Sequence, residues 1–290
     1  MSQAGTMNEA HPRTDNHETM WRWRYAVPPE KGAWIWWIGP LLIGAAAARQ
    51  VHWDLILLIV AALCAFLVRQ PLTLAVKIVW RGRSRAELAP VLKWAALYSV
   101  LTLAAAGWLL GGGHGWVLWM AAVGGPLFAW HLYLVRQGQE RHQVLLDLLA
   151  AAFLALTAPA AYWAAHGVSA WLPWTIWLLT FLQSSASIVH MMLRLEQRRH
   201  KTAPSDYPRW RTAALPLMHH QFNLVLGIGF YAAGHAPLLV PIAFGLLLLD
   251  ALEIIARPPF GHTPKQLGMR QLFVGSSFVV LLMAGYAFFG

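Results

Sequence analysis

Residues 54–80 read DLILLIVAALCAFLVRQPLTLAVKIVW, and this stretch decides the fold class. Its charged residues are Asp54 at the start and Arg69 and Lys77 near the end, and apolar side chains run unbroken from Leu55 to Val68. About 20 mainly apolar residues suffice to cross a bilayer as a helix. Because lipid offers the backbone no hydrogen-bond partners, a segment that spans it must be helical. The stretch therefore predicts a transmembrane helix.

Apolar stretches of this kind recur along the whole chain. We predict nine transmembrane helices, over residues 33–48, 54–80, 87–110, 115–136, 143–165, 169–195, 213–233, 236–256 and 267–289. The composition agrees, since 58% of the 290 residues are hydrophobic and 12% are charged, roughly half the charge fraction of a soluble domain. Mean hydropathy is +0.48. An all-α polytopic membrane protein is expected, which excludes a soluble enzyme and a nucleic-acid binder despite the net charge of +10.

The positive charges orient the predicted bundle. If the stretches cross alternately, all of the 22 Lys and Arg residues except Arg49 belong to one face. Because cytoplasmic loops are enriched in Lys and Arg, the N-terminus is predicted to be cytoplasmic and the C-terminus outside. Residues 1–27 are read as a flexible cytoplasmic tail and residues 28–290 as the membrane domain of a multi-pass protein of the bacterial inner membrane. The single cysteine, Cys64, excludes an intramolecular disulfide.

Polar residues inside the spans are costly in lipid and point to function. Arg69, Thr73 and Lys77 share one face of the second span, and Gln183, Ser187, His190 and Arg194 share one face of the sixth. These patterns predict a cytoplasm-facing basic cavity that binds an anion through side chains of several spans. The proposed anion-binding residues are Arg69, Lys77, Gln183, Arg194, Asn223 and Arg270. His190 and His219 are the acid–base candidates, because histidine titrates near neutral pH.

Other readings of the same polar residues remain open. Asp147, Asp250 and Glu253 are candidate proton or cation sites. Alternatively, Arg69 or Arg194 forms internal ion pairs with Asp250 or Glu253. The histidines of the inner half, His131, His190, His219 and His220, are candidate haem or metal ligands, provided that two of them face each other across the bundle.

Each predicted outer loop carries one histidine. These four residues are His52, His114, His166 and His235. Four imidazoles on one membrane face are a candidate zinc or copper site, since both metals accept imidazole nitrogen. The alternative is that small polar residues collect at interfacial turns without a ligand.

The start of the first span resembles a known family. Residues 28–34 read Pro-Pro-Glu-Lys-Gly-Ala-Trp, which resembles the Pro-x-x-His-Gly-Ala-Trp start of the YwiC-like bacterial membrane proteins, with Lys31 in place of the usual His. The second span then has Arg69-Gln70-Pro71 followed by Lys77, as those proteins have a polar-x-Pro break and a later Lys. The resemblance implies membrane location but no particular reaction.

The span count is also similar to that of the UbiA-type intramembrane prenyltransferases, which have nine helices and a cytoplasm-facing cavity. Their Asp-rich motifs, which hold Mg²⁺ and a diphosphate, have no counterpart here, so this resemblance implies the architecture and not that Mg²⁺ chemistry. We expect an anionic lipid, an isoprenoid or a quinone-like compound as ligand, bound by a lipid transferase or a binding protein among membrane lipids. A secondary transporter, or a haem- or quinone-binding accessory protein in a respiratory membrane complex, is the alternative.

Overall fold

The structure, a computed structural model, describes residues 23–28, 33–140, 143–168, 171–198 and 207–289, and these residues contain helices and no strand. The helices are α1 (Trp23–Ala26), α2 (Ala33–Ala48), α3 (Trp53–Trp80), α4 (Leu88–Gly111), α5 (Trp116–Gln137), α6 (Val144–Ala155), α7 (Thr157–His166), α8 (Leu172–Gln197), α9 (Arg209–Ala232), α10 (Leu239–Ala256) and α11 (Pro264–Phe288). A short 3₁₀ turn, Arg85–Glu87, precedes α4.

Most of these helices are long and apolar enough to cross a bilayer. Within the described residues seven segments qualify: Trp53–Trp80, Arg85–Gly111, Trp116–Gln137, Val144–His166, Leu172–Gln197, Leu239–Ala256 and Lys265–Phe288. This confirms the prediction of an all-helical, polytopic membrane protein.

Two of the nine predicted spans fall outside this group of seven. α2 is apolar but has only 16 residues, fewer than the roughly 20 that span a hydrocarbon core without tilt or distortion. α9 has 24 residues, but its N-terminal half carries Arg209, Arg211, His219 and His220. α2 is therefore left out of the group of seven by its length, and α9 by its polarity.

The fifth predicted span, 143–165, was expected as one helix and is two. α6 ends at Ala155 and α7 begins at Thr157. Pro159 explains the break, because a proline lacks a backbone N–H and its ring clashes with the carbonyl four residues earlier, here that of Ala155. The Thr157 hydroxyl donates to the Leu154 carbonyl oxygen at 2.7 Å. It also lies 3.1 Å from the carbonyl oxygen of Trp37 on α2.

Contacts at both ends of the bundle show that α3 and α5 run in one direction, with α4 reversing between them, and that α2 and α11 end on the same side. At one end the last turn of α3 meets the segment after α5, through Lys77 and Glu140. At the opposite end Arg49, after α2, donates from Nε and Nη2 to the Tyr286 carbonyl in α11, at 3.1 and 2.9 Å. A cation at the C-terminal end of a helix stabilises its unbonded carbonyls and its dipole. Arg49, the one Lys or Arg that the charge pattern assigns to the outer face, therefore caps the C-terminal end of α11.

The helices pack as two groups, which are joined by α2 and by the contacts of α8 with α6 and α7. α3 packs on α4, α5 and α7, whereas α8 packs on α9 and α11, and α10 lies against α9 and α11. α2 contacts α6, α7, α8 and α11. The α2–α7 contact is close, since a Cβ added to Gly44 would lie 2.1 Å from the Ala158 carbonyl oxygen. Small residues of this kind let transmembrane backbones approach each other.

The predicted N-terminal tail lies mainly outside the described residues. Its last part, Trp23–Ala26, forms α1, which packs on α3 and α4 and buries Tyr25 and Ala26. Residues 29–32, the larger part of the stretch 28–34 that resembles the family, are also outside the described residues.

Candidate functional site

A first polar group lies where α3 meets α5. The Lys77 ammonium and the Arg81 guanidinium both bind Oε1 of Glu140, at 3.0 and 2.9 Å. One helical turn before Lys77, the Thr73 hydroxyl lies 3.3 Å from His131 Nε2 on α5. The polar face that the sequence placed on the second span therefore points at α5 and at the segment that follows it.

This first group is rich in cations. We call it the α3 basic group; its cations are Arg69 on the polar face of α3, Lys77 and Arg81 at the end of α3, and Arg136 at the end of α5. Lys77 and Arg81 pair with Glu140, whose second oxygen is buried without a hydrogen-bond partner among the described residues. The Arg136 guanidinium lies 5.5 Å from the Trp80 ring centroid, and Trp80 is 55% exposed. An exposed Trp with Arg beside it is typical of the bilayer interface.

Glu140 remains ionised well into the acidic range. Burial raises the pKa of its carboxyl, but the hydrogen bond from its own backbone N–H, together with the charges of Lys77 and Arg81, outweighs burial and holds the pKa below its usual value. Opposite charges nearby favour the carboxylate form. The link between α3 and the segment after α5 is thus an ion pair at neutral pH.

A second polar group joins α8, α10 and α11. Arg194 Nη2 donates to Asp250 Oδ2 at 2.6 Å, and Arg270 Nε donates to Asp250 Oδ1 at 2.7 Å. Arg270 also pairs with Glu253. We call these four residues the α8–α11 ion-pair cluster. With two cations and two carboxylates, the cluster is electrically balanced.

Buried polar side chains are concentrated beside this cluster. Among the described residues they lie on α8 and α9, apart from Thr157 on α7: Thr175, Thr180, Gln183, Ser184, Ser185, His190, Arg194, Gln197, His220 and Asn223. The predicted face of Gln183, Ser187, His190 and Arg194 is among them or borders them. Reasoning from sequence missed Ser184, Ser185 and Gln197, although the run Gln183-Ser184-Ser185-Ala186-Ser187 within an apolar helix was a readable signal.

The histidines of this region form short contacts across the α8–α9 interface. His190 Nδ1 lies 3.3 Å from His220 Nε2, and His219 Nε2 lies 3.1 Å from the Ser185 hydroxyl. Asn223 donates to the Leu182 carbonyl at 2.9 Å. The cavity beside His190 and His220 has a volume of about 20 Å³, which leaves no room for a porphyrin between them. His190 and His220, two of the four candidate haem or metal ligands, thus lie on facing helices and contact each other directly.

The family model described as YwiC-like protein matches residues 27–162. Residues 27–162, a little under half of the chain, are thus similar to the YwiC-like family. The family resemblance read from the sequence is thereby confirmed over α2–α6 and most of α7. No curated protein and no solved structure gives a significant match to the chain.

The YwiC-like segment contains the first polar group and not the second. Arg69, Lys77, His131 and Glu140 lie within it, whereas α8–α11, with the ion-pair cluster, follow it. The single basic cavity predicted from the sequence is therefore divided in the structure. Arg69 and Lys77 belong to the α3 basic group, and Arg194 and Arg270 to the balanced cluster.

The predicted acidic residues are also divided. Asp250 and Glu253 are paired with arginine, which agrees with the alternative reading that Arg194 forms an internal ion pair. Asp147 is exposed near the start of α6 and is not a member of that cluster.

The outer-loop histidines of the chain do not converge on one metal site. Within the described residues, which include all four, no group of three or more His, Cys, Asp or Glu is arranged to hold a metal ion. His52 and His114 both contact Asp54 Oδ2, at 3.2 and 3.0 Å. His166 stacks on Tyr162 with centroids 4.5 Å apart, and the His235 ring lies 6.5 Å from that of Trp171. His52 and His114 therefore meet at Asp54, whereas His166 and His235 each lie beside a different aromatic side chain.

Proposed function

We propose that this chain is a nine-pass protein of the bacterial inner membrane with its N-terminus in the cytoplasm. The observed helix directions support this threading, with α2 and α9 as the two further passes. α9 would be tolerated in lipid because its buried polar residues face α8 and its exposed ones are mainly apolar, among them Leu215, Met218 and Phe222. The basic loops then lie on the cytoplasmic side.

We also propose that the α3 basic group binds an anionic headgroup, a phosphate or carboxylate carried by a lipid or an isoprenoid compound. The observation that carries this proposal is the convergence of two cations, Lys77 and Arg81, on one oxygen of Glu140, on the α3 face that also carries Arg69. Guanidinium and ammonium groups are the usual protein partners of phosphate and carboxylate. An interfacial Trp beside them, Trp80, suits a ligand that enters from the bilayer.

The balanced cluster supports anion binding less well. Arg194 is 4% exposed at its side chain and already binds Asp250, so an anion there would have to displace a buried carboxylate. We therefore assign the proposed anion site to Arg69 and Lys77, and remove Arg194 and Arg270 from it. Gln183 and Asn223, which bond to Ser187 and to the Leu182 carbonyl, are removed with them.

Native mass spectrometry of the detergent-purified protein tests this assignment. Arg69→Gln combined with Lys77→Gln should lose most of the acidic lipid that copurifies with the wild type. Lys265→Gln is the matched control, because Lys265 is an exposed cation at the start of α11, at the same end of the bundle. Equal acidic lipid in the double variant and in both references would refute the proposal.

A second candidate function, proton-coupled transport, rests on the α8–α11 ion-pair cluster. Ionisable side chains inside transmembrane bundles often mark ion or proton pathways. If Asp250 is the coupling site, uptake of a radiolabelled substrate by proteoliposomes should be lost in Asp250→Asn, assayed below the unfolding temperature of that variant, and retained in Glu196→Gln, an exposed carboxylate on α8. Uptake that is unchanged in Asp250→Asn would exclude this function.

A further inference from the structure

Two buried polar atoms that belong to the lining of one cavity beside the ion-pair cluster have no hydrogen-bond partner among the described residues. These are Nε of Arg194 on α8 and Nδ1 of His220 on α9. Their residues are 3% and 2% exposed. A buried donor left unbonded costs roughly 1–3 kcal/mol, and more where the group is charged. Native proteins rarely leave such atoms unpaired, so each calls for a partner.

Both residues line the same small cavity. Its volume is about 20 Å³, and its polar walls come from four helices: Ser187, His190 and Arg194 of α8, His220 of α9, Asp250 of α10 and Gln271 of α11. A cavity needs about 10–15 Å³ to hold a water molecule, and the water needs two to four polar partners. The volume fits one such molecule and the walls supply its partners.

The polar groups that line the cavity restrict which molecule can bind in it. The Arg194 Nε–H can only donate, so the occupant must offer a lone pair. Ser187 Oγ accepts from Gln183 Nε2 at 3.1 Å, which leaves the hydroxyl hydrogen available to the cavity. Arg194 and Arg270 balance Asp250 and Glu253, so no net charge attracts an ion. A neutral molecule that both accepts and donates meets these conditions.

We propose that this cavity binds one water molecule, which accepts from Arg194 Nε and hydrogen-bonds to His220 Nδ1. The water joins the histidine pair to the ion-pair cluster. The resulting hydrogen-bonded chain runs from His190 through His220 and the water to Arg194, Asp250 and Arg270, and ends at Glu253, whose side chain is 49% exposed. Because one nitrogen of each neutral imidazole donates and the other accepts, the water and the two rings set each other's tautomers.

An experimental map of the wild-type protein in a lipid nanodisc, at a resolution that shows ordered water, tests the proposal directly. One density peak is expected within about 2.7–3.2 Å of both Arg194 Nε and His220 Nδ1. An empty cavity, a cavity closed by a side-chain rotation, or a peak that refines as an ion would overturn it.

Hydroxyl-radical footprinting gives a second test in H₂¹⁸O. Met191 lines the cavity, so radicals formed from the bound water should oxidise it. His220→Phe removes a partner of the water and should lower the ¹⁸O labelling of Met191 severalfold. His219→Phe is the matched control, because His219 is the neighbouring histidine on α9 and does not line the cavity. Equal labelling in all three proteins would contradict the proposal, and the wild-type map decides it if His220→Phe does not fold.

Discussion

Arg194 and Asp250 are brought to 2.6 Å from each other by α8 and α10, and their side chains are 4% and 12% exposed. Asp250 also accepts from Arg270 of α11 through its other oxygen, at 2.7 Å. One carboxylate therefore holds two guanidinium groups from two helices. A buried ion pair is costly to form but much more costly to break, because the remaining partner is left as an uncompensated buried charge.

Asp250→Asn should accordingly destabilise the protein. Removal of one partner of a buried pair typically costs about 3–5 kcal/mol, and here two arginines lose their partner together. Thermal unfolding followed by tryptophan fluorescence in detergent measures the effect. Glu253→Gln should cost less, because Glu253 is half exposed. Glu196→Gln, which also neutralises a carboxylate but at an exposed position of α8, should leave the transition unchanged. A transition of Asp250→Asn at the wild-type temperature would contradict the role of the cluster.

Gly44→Ala should disturb the contact between α2 and α7. The new methyl group would lie 2.1 Å from the Ala158 carbonyl oxygen, so one helix must move. Overpacking of this kind costs about 1–3 kcal/mol. The midpoint of thermal unfolding should fall, whereas Gly107→Ala on α4, where a Cβ meets open space, should leave it unchanged or slightly raised. Equal midpoints for the two variants would show that the contact is not as close as described.

Acid should weaken the attachment of α3 to the segment after α5. The pKa of Glu140 is lower in the folded protein than its usual 4.5. A depressed carboxyl pKa gives stability that is fully present above the unfolded-state value and is lost as pH falls through the folded-state value. Thermal stability measured between pH 7 and pH 3 should therefore decline less steeply in Glu140→Gln than in the wild type. Glu196→Gln should keep the wild-type pH profile, and an identical profile in Glu140→Gln would refute the assignment.

Sidedness can be tested with single cysteines in a Cys64→Ser background. Gln50 and Ser84 are exposed and lie at opposite ends of α3. With the N-terminus in the cytoplasm, a membrane-impermeant maleimide should label Gln50→Cys in spheroplasts and Ser84→Cys only after permeabilisation. The reverse pattern would invert the proposed orientation.

Much of the fold was predictable because hydropathy acts locally. The stretch 33–48 was predicted with the bounds that α2 has, and the stretch 87–110 agrees with α4, Leu88–Gly111, to one residue at each end. The helix break at Leu156 could not be predicted from the presence of Pro159 alone. Prolines also lie inside other helices of this chain, which remain continuous: Pro40, Pro71, Pro126 and Pro216. Only at Pro159 does a break combine with a threonine that bonds back to α2.

The candidate site was predictable residue by residue but not as a set. Helical spacing placed Gln183, His190 and Arg194 on one face of α8, and they are buried. The same spacing gave no information on which helix that face meets. Asp54, which contacts both His52 and His114, was not predicted to be a site residue. The partner of a histidine in a loop depends on which turns are neighbours in space, and the sequence does not show this.

Side-chain polarity and helical period are local properties, and they were enough to predict a helical membrane protein with its cations mainly in one set of loops. The pairing of the charges could not be predicted in this way, because it depends on the distances between side chains of different helices. In the structure Lys77 and Arg81 share Glu140, whereas Arg194 and Arg270 are neutralised by Asp250 and Glu253.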